Sequence, residues 1–317
     1  MTGVVVAGDL GGTHLRAALI EPGGRVSARE ERPTPPDATP TEILDAIHEL
    51  LARVASRAGE PPAGACIALP GLINADAGTV ILAPNVPGFR NLAIAGPLSE
   101  RLGMPVWLEN DASAAALGEH RYGAGRDTRH LLHATLGTGI GGGIVIDRKL
   151  YRGAKGLAGE IGHMVIDPSG PRCNCGSRGC LEAMVSGVAF AARATRLIRS
   201  GKSPALAAVV GDAGPAATDL FAAARAGDSV CEAEIRNGGH FLGLALGSLV
   251  NVLNPDIVTL SGGLLHMGEM LLGPMREAMF SIAYGPASGA TVRETTLGDD
   301  CGLLGAAAVA FERLGTS

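Results

Sequence analysis

Three cysteines, Cys173, Cys175 and Cys180, fall within the run Cys-Asn-Cys-Gly-Ser-Arg-Gly-Cys, and His163 stands ten residues before the first of them. Three thiolates and an imidazole are a tetrahedral zinc set, and with all four positions taken by protein no place is left for a reactive water, so the ion would be structural. Free thiols are the alternative. The remaining cysteines, Cys66, Cys231 and Cys301, lie in apolar surroundings and read as core residues.

Glycine supplies a second kind of chemistry. The segments Asp9-Leu10-Gly11-Gly12-Thr13 and Gly137-Thr138-Gly139 each offer backbone amides free of Cβ crowding together with a threonine hydroxyl, the equipment for cradling a polyphosphate. Lysine occurs only at Lys149, Lys155 and Lys202, so amides and a metal ion would carry most of the neutralisation. Asp9 is placed to hold magnesium through water. One glycine hairpin alone is more often a tight turn, but two of them plus Ser261-Gly262-Gly263 favour a nucleotide site. Gly201-Lys202-Ser203 is a decoy, because Arg196 stands where a P-loop needs its first glycine, and Gly201 reads as a helix end.

Carboxylates supply the third kind. Asn110-Asp111 sits where a strand gives way to a helix; either residue could cap that helix, or Asp111 could be a general base facing a sugar hydroxyl that Asn110 helps to position. Glu160, His163 and Glu182 flank the cysteine loop, which would hold them rigidly toward a polyol. Taken singly, each is an ordinary solvated residue.

Strands and helices must position these groups. Val4–Ala7 is a short apolar run before the first hairpin, and Leu15, Ala17 and Leu19 alternate after it as a second strand would. The stretch from Arg32 to Pro40 reads as a Pro-rich loop ending in a helix start, with Thr39 as cap, Pro40 in the first turn and Glu42 three residues after the cap. Cys66–Leu69 and Pro105–Leu108 read as strands and 112–120 as a helix. At His130 the pattern restarts with strand, Gly/Thr hairpin and strand, a weak internal repeat that suits a duplicated α/β fold. The later chain reads as helical except for Ile257–Leu260.

The chain has 317 residues, 46% of them hydrophobic and 18% charged, which makes it a globular protein of about two domains. A net charge of −5 without long single-sign runs argues against nucleic acid and anionic membrane as partners. The longest apolar stretch, Phe241–Leu253, is broken by Gly243, Gly247, Ser248 and Asn251 and reads as a buried helix. The N-terminal stretch lacks the features of a secretion signal, and a cytoplasmic location is expected.

Taken together, Asp9–Thr13, Ala83-Pro84-Asn85, Glu109-Asn110-Asp111, Leu136–Gly143, Glu160-Ile161-Gly162-His163 and the cysteine cluster resemble the ROK sugar kinases (repressor, open reading frame, kinase), especially bacterial glucokinases. The motifs run in order over nearly the whole chain. The resemblance implies an actin-like, ribonuclease H-like duplicated α/β fold in two domains, with sugar and ATP meeting in the interdomain cleft. The small domain would be 1–111 plus about 305–317, and the large one 112–304 with the zinc loop. It implies Asp111 as catalytic base and Gly71, Asn85, Asn110, Glu160, His163 and Glu182 as sugar contacts. Gly11, Gly12, Thr13, Thr138, Gly139, Gly262 and Gly263, with Asp9, would form the nucleotide site. His163, Cys173, Cys175 and Cys180 would hold structural zinc, and ATP and Mg2+ would be the other cofactors.

Two departures and several alternatives accompany the resemblance. His14 stands where many relatives have Lys or another polar residue, and only eight residues precede Asp9, too few for the DNA-binding region of repressor members. Glucose is the expected substrate; N-acetylmannosamine, fructose or allose, a catalytically silent sugar sensor, and an actin-like ATP-driven switch are the alternatives. A homodimer or homotetramer is expected.

Overall fold

The structure is a computed structural model describing residues 3–35, 38–83, 86, 88–211, 214–285 and 289–316. In chain order its elements are β1 (Val5–Leu10), β2 (His14–Ile20), β3 (Val26–Pro33), α1 (Pro40–Ala55), β4 (Ala65–Leu69), β5 (Leu72–Asn74), β6 (Thr79–Leu82), β7 (Arg90–Ala93), α2 (Ala95–Leu102), β8 (Val106–Asn110), α3 (Asp111–Tyr122), β9 (Leu131–Leu136), β10 (Ile140–Ile146) and β11 (Lys149–Leu150). There follow α4 (Leu181–Val185), α5 (Gly187–Arg199), α6 (Pro204–Val209), α7 (Ala217–Arg225), α8 (Ser229–Leu253), β12 (Ile257–Ser261), α9 (Glu269–Ile282), β13 (Thr291–Glu294) and α10 (Cys301–Arg313).

Contacts divide the chain into two compact units, residues 1–133, 143–159 and 295–317 in the first and 134–142 and 160–294 in the second. In the first unit a five-stranded sheet has the order β3-β2-β1-β4-β8. β1, β2 and β3 form an antiparallel meander, while β4 and β8 continue from β1 in parallel. The carboxyl ends of three parallel strands therefore open on one edge, where Gly11, Gly71 and Asp111 follow β1, β4 and β8, the usual place for ligands in α/β sheets.

Alternation along β1 feeds two cores. Val6 and Leu10 face the layer holding α1 and Leu98 of α2; Val5 and Ala7 face the layer of α3 and α10. α1 forms where its cap foretold: the Thr39 hydroxyl accepts from the Glu42 amide at 3.3 Å, Glu42 accepts from the Thr39 amide at 2.8 Å, and Ile43, Ile47, Leu50 and Val54 are buried. α3 and α10 pack backbone to backbone, since a Cβ on Gly305 would lie 2.1 Å from the Ala114 carbonyl oxygen.

That close packing groups α3 with the first unit, whereas the domain boundary expected from the resemblance lies at Asp111. α3 and everything through His133 belong to the first compact unit, joined by 295–317 and not only by the chain after 305. The strand β3 also replaces the start of the loop expected from Arg32, and β13 adds a strand to the later chain.

The second sheet has the order β11-β10-β9-β12-β13, and the unit boundaries fall inside β9 and β10. By rank its strands repeat the first sheet, third-second-first-fourth-fifth, which bears out the internal repeat. A third, small sheet is β5-β6-β7. In the second unit α8 lies on α9 through Gly239 and Gly243, where a Cβ would meet the carbonyls of Leu271 and Met275 at 2.2 Å. Among the described residues no helix is long and apolar enough to cross a membrane.

Candidate active site and metal centre

The capping reading of Asn110-Asp111 holds at Asn110. Asn110 caps α3, its Oδ1 accepting from the Ser113 amide at 2.9 Å, and its Nδ2 donates to the Gly71 carbonyl and to Asp111 Oδ1, each at 3.1 Å. The Ala112 amide also donates to Asp111 Oδ1 at 2.8 Å, so the half-buried carboxylate is oriented at the first turn of the helix. Gly71 has φ +102°, and a Cβ there would stand 2.3 Å from the Leu82 carbonyl oxygen, so only glycine brings that carbonyl to Asn110.

Sequence reasoning missed the support behind this pair. Glu109 is 2% exposed; its Oε1 accepts from the Asn110 amide at 3.1 Å and its Oε2 lies 2.7 Å from Arg152 Nε. Burial pushes the Glu109 carboxyl up, against the pull of the Arg152 guanidinium. The only sequence signal was an acid in a buried strand; its partner stands 43 residues on.

The first hairpin is tied to the end of β3. Gly11 donates its amide to the His14 carbonyl at 2.8 Å, the Thr34 hydroxyl donates to the Gly11 carbonyl at 2.8 Å, and the Thr34 amide donates to the Thr13 carbonyl at 2.8 Å. Asp9 is 7% exposed with Oδ2 2.8 Å from Arg16 Nη2, and burial, the dominant effect, pushes its carboxyl up. A Cβ on Gly302 of α10 would come within 2.9 Å of that carboxylate. The departure at position 14, His14, is exposed, its Nε2 3.6 Å from Glu31 Oε1.

The second hairpin is held by Glu182, whose Oε2 accepts from the Ile140 amide at 3.0 Å. Gly139 makes room for it: a Cβ there would be 2.4 Å from that oxygen. The amides of Gly187 and Val188, which open α5, donate to the carbonyls of Gly137 and Thr138 at 2.9 and 3.3 Å.

The glycines assigned to phosphate thus sort into two kinds. Gly262 has φ +101°, and its Cβ would lie 2.4 Å from the Leu136 carbonyl oxygen, so the fold demands it, as Glu182 demands Gly139. Around Gly12 and Gly263 a Cβ would meet no described atom within 4 Å, and neither has positive φ. The described packing does not require glycine at those two positions.

His163, Cys173, Cys175 and Cys180 come together, their ligand atoms all within 4.8 Å of one another. Cys173 Sγ lies 3.6 Å from His163 Nδ1, and Cys175 Sγ lies 3.7 Å from Cys180 Sγ. A tetrahedron with Zn–S bonds of about 2.3 Å has sulfur–sulfur edges of roughly 3.8 Å, so donor set and spacing both fit zinc. Burial pushes the Cys173 thiol up to about 12, so a cation binding here would displace its proton. The loop closes on glycine: Gly179 has φ +66° and lies so near the Asp167 carbonyl that no side chain fits.

Because Nδ1 of His163 faces the cysteines, Nε2 is turned the other way, 3.9 Å from Glu160 Oε2. Burial pushes the Glu160 carboxyl up; His163 opposes this and Glu182 adds to it, so the three groups share one neighbourhood of the second unit. Asn85 lies outside the described residues.

A glucokinase of Thermotoga maritima is 37% identical over 313 residues, 97% of each chain. A ROK family glucokinase from Streptomyces griseus, solved in complex with glucose and AMPPNP, superposes with a TM-score of 0.82 at 34% identity, covering 97% of this chain and 99% of that one. A xylose repressor of Caldicellulosiruptor bescii is 30% identical over 280 residues, 87% of this chain and 70% of the repressor. The ROK family model matches residues 5–313, and the chain belongs to the ROK family.

Proposed function

We propose that this ATP-dependent sugar kinase phosphorylates the 6-hydroxyl of glucose, with Asp111 as the general base. The observation that carries the reading is the carboxylate of Asp111 held by the Ala112 amide and by Asn110, itself tied to the Gly71 carbonyl. Glucose as acceptor and a cytoplasmic location are supported by the bacterial glucokinase relative, and ATP as donor by the relative solved with AMPPNP.

Asp111 takes the proton of the primary hydroxyl as that oxygen attacks the γ-phosphorus in line; the new O–P bond forms while the bond to the departing ADP oxygen breaks. Positioned base assistance is worth about 10² to 10⁴ in rate. The proposed nucleotide residues are Gly11, Gly12, Thr13, Thr138, Gly139, Gly262 and Gly263, whose amides suit phosphate, and magnesium, when bound with ATP, would supply further neutralisation of the transferring charge. Asp9, paired with Arg16 and overlain by Gly302, suits contact with such an ion through water. Glu160, His163 and Glu182 hold sugar hydroxyls; zinc, when bound, supplies the rigidity that orients the His163 ring.

Asp111→Asn should leave glucose binding nearly intact by calorimetry and lower kcat by about 10² to 10⁴. Near-normal turnover would reject Asp111 as the base. The xylose repressor relative favours a second reading, a sugar sensor without turnover. An ADP-release assay over glucose, N-acetylmannosamine, fructose and allose separates the two: turnover selects the kinase and its sugar, whereas sugar binding with no ADP release selects the sensor.

A further inference from the structure

The far end of α3 carries a cavity that the sugar-kinase reading does not use. Its volume is about 250 Å³, and it lies wholly in the first unit. The turn between β2 and β3 gives Pro22 and Gly23; α3 and the residues after it give Arg121, Tyr122 and Arg126; α10 and its C-terminal turn give Phe311 and Thr316. Asp111 opens the same helix, roughly 18 Å away at 1.5 Å per residue. The cavity is therefore separate from the strand-end loops.

Its walls are built, not incidental. The Tyr122 ring packs on the turn where Gly24 has φ +83°, and a Cβ on Gly24 would lie 2.7 Å from the ring. The Tyr122 hydroxyl donates to the Pro22 carbonyl at 3.4 Å, and the Thr316 hydroxyl donates to the Phe311 carbonyl at 3.2 Å. Phe311, 3% exposed, gives an apolar floor.

The charge on this cavity is uncompensated. Among the described residues neither Arg121 nor Arg126 has a carboxylate partner, whereas Arg16, Arg25, Arg29, Arg32, Arg53 and Arg57 of the same unit are all ion-paired. The Nε of Arg121 is moreover buried without any hydrogen-bond partner. Guanidinium groups bind phosphate with paired, charge-assisted hydrogen bonds. The volume falls below the ~300–1,000 Å³ of sites for drug-sized ligands, which suits inorganic phosphate or a phosphate ester of a few carbons.

We propose that this cavity is a second ligand site, binding a small phosphate-bearing anion between Arg121 and Arg126 over the floor formed by Phe311. The test reads the arginines themselves, so it stands whether or not Asp111 is the catalytic base. The full-length protein is treated with phenylglyoxal, which modifies accessible guanidinium groups, with and without inorganic phosphate or glycerol 3-phosphate, and modification is mapped by peptide mass spectrometry. Either anion should slow modification of Arg126 at least fivefold while the exposed Arg129 reacts as before. Protection by inorganic phosphate alone identifies the free ion as the occupant, and protection by both extends the site to esters. Arg126→Gln, at an exposed position that cannot unfold the core, should weaken protection of Arg121 by tenfold or more in anion concentration. Equal modification of Arg126 with and without anion, protection by acetate but not phosphate, or protection of Arg121 unchanged in Arg126→Gln would each overturn the proposal.

Discussion

Placed in register, the two glycine hairpins read Asp9-Leu10-Gly11-Gly12-Thr13 and Thr135-Leu136-Gly137-Thr138-Gly139, each following the central strand of its own five-stranded sheet. Their anchors differ. The first is tied to Thr34, at the end of its own meander, and carries a buried carboxylate in the strand. The second is tied to Glu182, two residues after Cys180 of the candidate metal set, and has the hydroxyl of Thr135, to which Ser261 donates at 3.3 Å, in place of that carboxylate. A duplicated frame has thus been wired once to itself and once to the cysteine loop. Loss of metal should reach only the second hairpin.

Cys180→Ser gives the largest effect. Cys180 is fully buried, and loss of a structural metal belongs to the changes that cost more than about 4 kcal/mol. Bound zinc should vanish by elemental analysis and the calorimetric Tm should fall on the order of 10 °C. Amide exchange should quicken at Thr138–Ile140 and stay unchanged at Leu10–His14. Equal acceleration at both hairpins would break the comparison.

Next come the anchors themselves. Glu182→Ala removes a charged acceptor, a bond worth about 1.5–3 kcal/mol, and should raise KM for glucose and for ATP by roughly tenfold or more. Thr34→Val removes a neutral bond of about 1 kcal/mol and should raise KM for ATP roughly fivefold with KM for glucose unchanged. If Thr34→Val moved both constants alike, the hairpins would not be separately wired.

What could be read from the sequence follows the range of each interaction. Cys173, Cys175 and Cys180 lie within eight residues, and Thr39 with Glu42 within four, so spacing alone exposes the metal set and the start of α1. The strand-hairpin-strand openings are equally local, and the matching strand orders of the two sheets grow from them. The Glu109–Arg152 pair spans 43 residues, and the meeting of Gly305 with the Ala114 carbonyl spans nearly two hundred. Neither leaves a periodic trace in the sequence. Sequence does not show that Gly139 and Gly262 are also demanded by a neighbouring carboxylate and carbonyl, because those neighbours, Glu182 and Leu136, are distant in the chain.

The smallest effect tests the in-strand difference between the hairpins, Asp9 against Thr135. Burial raises the Asp9 carboxyl in the folded state above its ordinary value of 3.8 despite the guanidinium of Arg16. Between those two values the folded chain binds more protons than the unfolded one, so this group makes stability fall as pH rises through that window. Asp9→Asn carries no such proton. Urea unfolding of the nucleotide-free protein at several pH values should therefore show the difference in unfolding free energy, variant minus parent, growing in the variant's favour as pH climbs from 3.8 and levelling once Asp9 is ionised in the folded state. The pairing with Arg16 does not reverse the sign, because protonation of Asp9 at low pH weakens that pair in the parent as the amide does in the variant. A difference that shrank with rising pH would mean that Arg16 outweighs burial, and the first hairpin would then rest on a favourable ion pair where the second rests on a hydroxyl.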